Sequence, residues 1–299
     1  MARPWLVTGA RGQLGTALCE RLAAAGVPAR GFAHAELEVA DAEAVRVRLE
    51  AERPAGVINA AGFTAVDRCE REPEAAARGN AEAPAVLARA CVAAGARLVH
   101  VSTDYVFDGR GTRPYREGDP TGPQSRYGAT KLAGERAVLA ASQDFLVVRT
   151  SWVFGRGRNF IAAILDQAAK RRAGEASGPL RVVADQTGRP TYAVDLAAGI
   201  WRLVELGASG LYHVANEGVA TWWELARFCL DEAGCHDLPI QKISTGELRV
   251  DAPRPAWSVL DTTKARDRGV ALRPWREAVR AYLTSDASPL RGAAWEAKP

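Results

Sequence analysis

The sequence predicts an α/β fold, a doubly wound parallel sheet followed by a smaller C-terminal substrate-binding domain. Three observations carry this expectation. An apolar strand at the start of the chain runs into a glycine turn and then a helix. Short apolar strands alternate with Ala-rich helical stretches through the first half, the pattern of a parallel sheet with crossover helices. After Val153 that alternation becomes irregular, and 299 residues are enough for a second domain.

Taken in order, Trp5-Leu6-Val7 reads as a short buried strand, and Leu14, Leu18 and Leu22 after it recur at helical spacing. Further strands are expected at 29–33, 56–59, 97–102, 145–149 and 211–214. The stretches 42–52, 73–94 and 127–141 between them are rich in Ala, Glu, Arg and Leu, which favour helix. Beyond them, Gly155-Arg156-Gly157-Arg158 is a loop, 159–172 a helix and 173–180 a Gly- and Pro-bearing connection. Helices are expected again at 196–206, 221–233 and 275–283. Asp251-Ala252-Pro253-Arg254-Pro255 is extended, because each proline disfavours helix before it. From 284 onward Ser, Pro, Gly and Ala mix without periodicity, which reads as a loose tail.

Composition narrows the function classes. Hydrophobic residues at 47% and charged residues at 25% match globular usage, so a disordered chain is not indicated. The net charge of +4 is small, and Arg and Lys are interspersed with Glu and Asp, which does not suggest nucleic-acid binding. The five cysteines are scattered and lack the spacing of a metal site, so reduced structural thiols and no metal are expected. No long apolar run suggests a membrane span, and a cytoplasmic location is the corresponding expectation.

The glycine turn is the first piece of chemistry. In Thr8-Gly9-Ala10-Arg11-Gly12-Gln13-Leu14-Gly15 a strand ends in glycines that open a helix. Bare glycines let backbone N–H groups and a helix N-terminus approach a pyrophosphate. The GxxGxxG spacing departs from the GxGxxG dinucleotide fingerprint but keeps its strand and helix context, so a Rossmann-type domain is expected. The second strand ends near His34 without the acidic residue that would accept an adenosine 2′-hydroxyl. NADPH is therefore the first choice of cofactor, with NADH kept open.

Tyr127 and Lys131 stand four apart in Ser125-Arg126-Tyr127-Gly128-Ala129-Thr130-Lys131, on one face of a helix. An ammonium near a phenol favours the phenolate and brings the tyrosine toward working pH as an acid or base. Upstream, Val99-His100-Val101-Ser102-Thr103-Asp104-Tyr105-Val106-Phe107 is an apolar strand ending in hydroxyl and carboxylate groups, at the end where open α/β sheets place ligands. Thr103 can hydrogen-bond a substrate carbonyl beside Tyr127, with Ser102 and Asp104 as adjacent candidates. Nicotinamide site, carbonyl-polarising hydroxyl and tuned tyrosine together describe hydride transfer between cofactor and ketone.

These residues resemble the extended short-chain dehydrogenases, and within them the dTDP-4-dehydrorhamnose reductase family. The likeness runs from Leu6 to about Leu283. It is carried by the glycine turn, Asn59-Ala60-Ala61-Gly62-Phe63-Thr64-Ala65-Val66-Asp67, Ser102 to Phe107, Tyr127-Gly128-x-Thr130-Lys131 and Arg149-Thr150-Ser151-Trp152-Val153. Later matches are Asp185-Gln186-x-Gly188-x-Pro190-Thr191, Gly210-Leu211-Tyr212-His213, and Arg254-Pro255 with Ser258 and Leu260. The resemblance implies that Tyr127 is the proton donor, that Lys131 orients the nicotinamide ribose and tunes Tyr127, and that Thr103 assists at the carbonyl. It places the pyrophosphate on Gly9, Gly12, Gln13, Leu14 and Gly15, and lays Gly62, Phe63, Thr64 and Val101 along the cofactor. Glu38-Val39 stands where the family often has Asp and an apolar residue near the adenine. By the same resemblance Asp104 and Trp152 would contact the sugar nucleotide; Arg254 is a candidate diphosphate contact because a guanidinium binds phosphate at two points, a solvated or structural arginine being the alternative. Trp257 stands where the family usually has Asn or Tyr.

The implied reaction is reduction at C4 of a dTDP-4-keto-6-deoxyhexose, most directly dTDP-4-dehydro-L-rhamnose to dTDP-L-rhamnose. A related NDP-hexose 4-ketoreductase, a dihydrostreptose-type synthase, and a non-catalytic regulatory subunit like the beta subunit of methionine adenosyltransferase are the alternatives. An epimerase or dehydratase is disfavoured, since Tyr105 stands where a dehydratase pairs Glu with the preceding Asp. The expected division gives 1–152 with a return segment 187–219 to the cofactor and 153–186 with 220–285 to the sugar nucleotide, leaving 286–299 as tail. The partner is the dTDP-sugar, and the family leaves room for a homodimer.

Overall fold

The computed structural model describes residues 2–291. Strand β1 (Trp5–Thr8) is buried throughout and leads into α1 (Gln13–Ala24), whose apolar stripe of Leu14, Leu18 and Leu22 faces the core. Strand β2 (Ala29–Phe32), helix α2 (Ala42–Glu52) and strand β3 (Gly56–Asn59) follow. Asp41 caps α2 by accepting from the amides of Glu43 and Ala44. Helices α3 (Val66–Arg71), α4 (Pro73–Ala77) and α5 (Ala83–Ala94) come next, with a π turn at Arg78–Glu82 joining the last two. The single helix expected over 73–94 is thus present with a widened turn inside it, and Asn80 of that turn is fully buried.

Strand β4 (Arg97–Thr103) ends in a 3-10 turn at Asp104–Val106, and α6 (Arg126–Ala141) starts on Ser125, whose hydroxyl accepts from the Gly128 amide. After β5 (Leu146–Thr150) and the short β6 (Val153–Phe154) come α7 (Phe160–Arg172), β7 (Leu180–Val183), β8 (Thr187–Gly188) and β9 (Thr191–Tyr192). Helix α8 (Ala193–Glu205), β10 (Gly210–His213), β11 (Ala220–Thr221), α9 (Trp222–Glu232), β12 (Ile240–Ile243), α10 (Thr263–Asp267) and α11 (Trp275–Thr284) complete the order.

The central sheet has six parallel strands in the order β10-β5-β4-β3-β1-β2. The chain leaves β1 toward β2, then crosses to β3 and proceeds in the other direction, so a topological switch point opens between the carboxyl ends of β1 and β3. Ligands bind there in open α/β sheets. One face of the sheet packs on α1 and α8 through Val7, Leu18, Val99 and Ile200; the other packs on α2 and α5 through Leu6, Val45, Leu87 and Leu98. A separate apolar cluster draws on α7, α9 and α11, around Ile161, Leu225, Trp275 and Tyr282.

The two-stranded pairs β7 with β12, β8 with β11 and β6 with β9 were not expected from the sequence. They are too short to show a period. The loose tail expected from 284 also needs correction. Residues up to 291 continue the packing: the Ser285 hydroxyl donates to the Tyr282 carbonyl at the end of α11, Ser288 accepts the Leu290 amide in a turn at Pro289–Arg291, and Leu290 lies on the third cluster. The remaining part of that segment, 292–299, lies outside the described residues.

Candidate active site

A cleft of about 1050 Å³ runs along the carboxyl edge of the sheet. One end is formed by the glycine turn and the 33–39 segment, the middle by Ala60 to Thr64 with Val101 to Tyr105, and the far end by Thr150 to Val153 and Trp222. Gly9, Gly12, Gln13, Leu14, Gly15, Glu38, Val39, Gly62, Phe63, Thr64, Val101, Thr103, Asp104, Tyr127, Lys131 and Trp152 all line it. Residues as far apart in sequence as Gly9 and Trp222 are therefore brought to one groove.

The glycine end fits a dinucleotide pyrophosphate. Gly9 has φ +67°, and a Cβ on Gly15 would lie 2.0 Å from the Gly9 carbonyl oxygen, so neither position accepts a side chain. The first-turn amides of α1 have no intrahelical partner, no side chain caps them and no acidic residue occupies that turn, which leaves the positive end of the helix facing the groove. Gln13 donates to the Arg158 carbonyl at 3.1 Å, closing the turn from the other side. At the adenosine end, the Glu38 carboxylate accepts from its neighbour's amide, Ala40 (3.0 Å), and meets Arg78 at 3.5 Å, while Val39 is buried. The structure also places a carboxylate near the tip of β2 that sequence position alone did not: Glu36 folds back to accept the Ala33 amide at 2.7 Å and lies 3.8 Å from Arg11.

In the middle of the groove Lys131 donates to the Val101 carbonyl at 2.6 Å. Burial lowers its ammonium to about 8, with the Glu135 carboxylate opposing that shift. Tyr127 is half-buried in the groove, edge-on to the Tyr105 ring at 5.4 Å. The sequence-based expectation that lysine draws the phenol down is corrected here: burial dominates and raises it well above its ordinary value, with the Thr103 hydroxyl beside it acting in the opposite direction. The amine donates to a backbone carbonyl, and Lys131 is not among the groups that shift the phenol.

Thr103 donates to Asp104 Oδ1 at 3.0 Å and accepts the Tyr105 amide at 3.2 Å. Asp104 is 2% exposed, and burial pushes it up to about 6 against the Ser258 and Thr103 hydroxyls, which pull it down. Its Oδ2 has no hydrogen-bond partner among the described residues. A buried carboxylate oxygen without a partner retains acceptor capacity, and the Ser258 hydroxyl, itself without a hydrogen-bond partner among the described residues, is the first of the groups that lower its pKa.

The far end is aromatic. Trp152 sits at φ +48°, in the left-handed region, and stacks on Trp222 with centroids 3.6 Å apart and planes within 5°. Phe160 packs against Trp222, whose indole N–H donates to Gln186 at 3.0 Å. Arg254 alone of the expected site residues does not line the cleft. Its guanidinium forms a two-point pair with Asp67 (2.9 and 2.7 Å), and the same carboxylate accepts the Asp251 and Ala252 amides. Asp67 lies 187 positions away, so sequence reading could not weigh an internal partner against a diphosphate.

Two groups that sequence reading missed hold the site in place. Asn80, in the π turn, accepts the Phe63 amide at 2.8 Å and donates to the Phe63 carbonyl at 3.0 Å and to Thr130 at 3.2 Å, tying the 62–64 loop to the turn before Lys131. Asn59 receives Thr8 Oγ1 at 2.7 Å and the Ala61 amide at 3.1 Å and donates to His100, joining the tips of β1, β3 and β4. The Asn59-Ala60-Ala61 string was a signal for the second; nothing local marks Asn80. Among the described residues no group of three or more His, Cys, Asp or Glu could hold a metal ion, and no helix is long and apolar enough to cross a membrane.

A parallel sheet with a glycine cradle at its switch point, and with Tyr127, Thr103 and Lys131 together along its carboxyl edge, is the arrangement of a Rossmann-type oxidoreductase. The sequence matches the RmlD substrate binding domain over residues 3–288, and the chain belongs to that family. It is 42% identical over 286 residues to a dTDP-4-dehydrorhamnose reductase of Streptomyces griseus, covering 92% of this chain and 91% of that one. It is 41% identical to a probable dTDP-4,6-dihydroxy-2-methyloxan-3-one 4-ketoreductase of Streptomyces antibioticus, over 92% and 93% of the two chains. The crystal structure of dTDP-4-dehydrorhamnose reductase from Bacillus anthracis in complex with NADP superposes with a TM-score of 0.88 at 33% identity, covering 95% of this chain and 99% of that one.

Proposed function

We propose that the protein reduces the C4 ketone of a dTDP-4-keto-6-deoxyhexose with NADPH, dTDP-4-dehydro-L-rhamnose being the substrate that its relatives favour. The observation that carries this reading is the cluster of half-buried Tyr127 with buried Thr103 and Asp104 lining the dinucleotide groove. When bound, the reduced nicotinamide supplies the hydride. The phenol of Tyr127, held protonated by burial, gives its proton to the carbonyl oxygen as negative charge develops there. Thr103 helps hold that oxygen, and Asp104 Oδ2 accepts a sugar hydroxyl. Lys131 orients the nicotinamide ribose. The glycine cradle takes the pyrophosphate, Glu38 and Val39 flank the adenine, and Arg11 with Glu36 stands near the adenosine ribose, so NADH remains usable.

The Trp152 and Trp222 stack offers an apolar wall suited to a 6-deoxy sugar. In the division of labour we propose, 1–152 with 187–219 binds cofactor, and 153–186 with 220–285 binds the sugar nucleotide. A cytoplasmic place of action and a homodimer belong to the same proposal. Arg254 keeps its place at the rim as the partner of Asp67.

The second reading, a 4-ketoreductase making another deoxysugar, is favoured by the comparable identity to the Streptomyces antibioticus protein. Purified protein given NADPH and enzymatically generated dTDP-4-keto-6-deoxy-L-lyxo-hexose decides between them. Loss of reduced-nicotinamide absorbance with dTDP-L-rhamnose as the product by NMR is the expected result. Another sugar as product selects the second reading, and no oxidation defeats both.

A further inference from the structure

Behind Tyr127 and Lys131 lies a buried charged network that the reduction chemistry does not use. Its centre is Glu135, one turn beyond Lys131 on α6 and 2% exposed. The carboxylate accepts from Ser102 Oγ at 2.9 Å, from Arg149 Nε at 2.9 Å and from Arg149 Nη2. Ser102, Arg149 and His213 form one rung across three strands, since Ser102 pairs with Arg149 between β4 and β5 and Arg149 with His213 between β5 and β10. Arg149 Nη1 reaches His213 Nε2 at 3.4 Å, while His213 Nδ1 lies 3.1 and 3.2 Å from the carbonyls of Tyr115 and Asp261. With Nδ1 donating, His213 is neutral.

Burying two charges carries a desolvation cost that apolar residues of the same size avoid, so packing alone does not call for this pair. The position of its ends supplies a use. Ser102 directly precedes Thr103, and the carbonyl that receives Lys131 Nζ belongs to Val101, the residue before Ser102. Glu135 therefore touches the strand that carries both Thr103 and the anchor of Lys131. The titratable groups facing Lys131 are Tyr127 and Glu135 on its own helix and His100 on β4, which burial keeps neutral. Glu135 is the one that favours the ammonium.

We infer that Glu135 is a positioning residue for the Tyr127 and Lys131 pair: anchored by Arg149 and Ser102, it fixes α6 against the tips of β4 and β5. Its carboxylate is also the charge that favours the Lys131 ammonium. The inference rests on the proposed roles of those two residues. Its test compares the wild type with Glu135→Gln and with a double variant, Glu135→Leu with Arg149→Met, which removes both charges and keeps apolar bulk. NADPH affinity, read by tryptophan fluorescence, is followed against pH alongside kcat/KM for the sugar substrate. Folding is checked by circular dichroism.

In both variants the alkaline limit of NADPH binding and of kcat/KM moves down by about one pH unit, because Lys131 loses its proton earlier. Folded variants whose limits coincide with the wild type overturn the inference and leave Glu135 a packing group. If Glu135→Gln does not fold, the double variant decides by itself. A wild type that binds NADPH but reduces no sugar refutes the proposed reaction, and the binding profile then still decides the part played by Glu135.

Discussion

Asp104 is where burial and chemistry pull in opposite directions. A carboxylate that is 2% exposed would shed its charge, yet hydroxyls and amides around it hold its pKa at about 6. If the ionised form accepts a sugar hydroxyl, kcat/KM falls as pH drops through about 6, because the group protonates and one acceptor lone pair is lost. Asp104→Asn is expected to abolish that acid limb while lowering kcat/KM at neutral pH about tenfold or more, the cost of a hydrogen bond to a charged group. An acid limb unchanged in the variant assigns it to another residue. At this scale the sequence was informative where spacing is local. Tyr127 with Lys131, and Thr103 with Asp104, lie on single elements whose geometry follows from the pattern. Trp222, Asn80 and the Asp67 partner of Arg254 were hidden, because each is defined by a contact across the fold.

Helix α6 shows how an element delivers these residues. Its first turn lies so close to the 3-10 turn after β4 that a Cβ on Gly128 would fall 2.2 Å from the Tyr105 carbonyl oxygen. That approach brings Tyr127 beside Thr103. Gly128→Ala must push the helix away, and a loss of about 1–3 kcal/mol in stability is expected together with a larger fall in kcat than in cofactor affinity. Urea denaturation and steady-state kinetics check it; a variant with wild-type kcat shows that the approach is not needed. The helix itself was legible from its composition, as were the strands of the central sheet from their apolar runs. The π turn between α4 and α5 was not. A single widened turn leaves no period in the sequence, and Asn80 is recognised only through its grip on Phe63 and Thr130.

Across the whole molecule, three buried polar groups knit the sheet edge: Asn59 with His100, Glu135 with Arg149, and His213 with its two carbonyls. Both histidines are held neutral. Burial takes His100 well below its usual value and His213 down to about 3. A histidine lowered on folding gives stability that is full above its unfolded pKa of about 6.5 and is lost as pH falls toward the folded value. Stability is therefore expected to drop between pH 6.5 and pH 3, with the unfolded state taking up protons at both sites. His213→Gln reduces that slope by one proton if it folds, and chemical denaturation at a series of pH values measures it. An unchanged slope places the proton uptake elsewhere. The doubly wound order followed from alternating strands and helices, whereas the three small strand pairs of the remaining chain did not, since no such alternation marks them.

The central claim is that Tyr127 is the acid that protonates the reduced carbonyl. The direct measurement is single-turnover NADPH oxidation by Tyr127→Phe with saturating sugar nucleotide, with cofactor affinity determined on the same protein. A fall in rate of roughly 100-fold or more, with NADPH affinity close to the wild type, is the predicted result. A variant that turns over at the wild-type rate contradicts the claim.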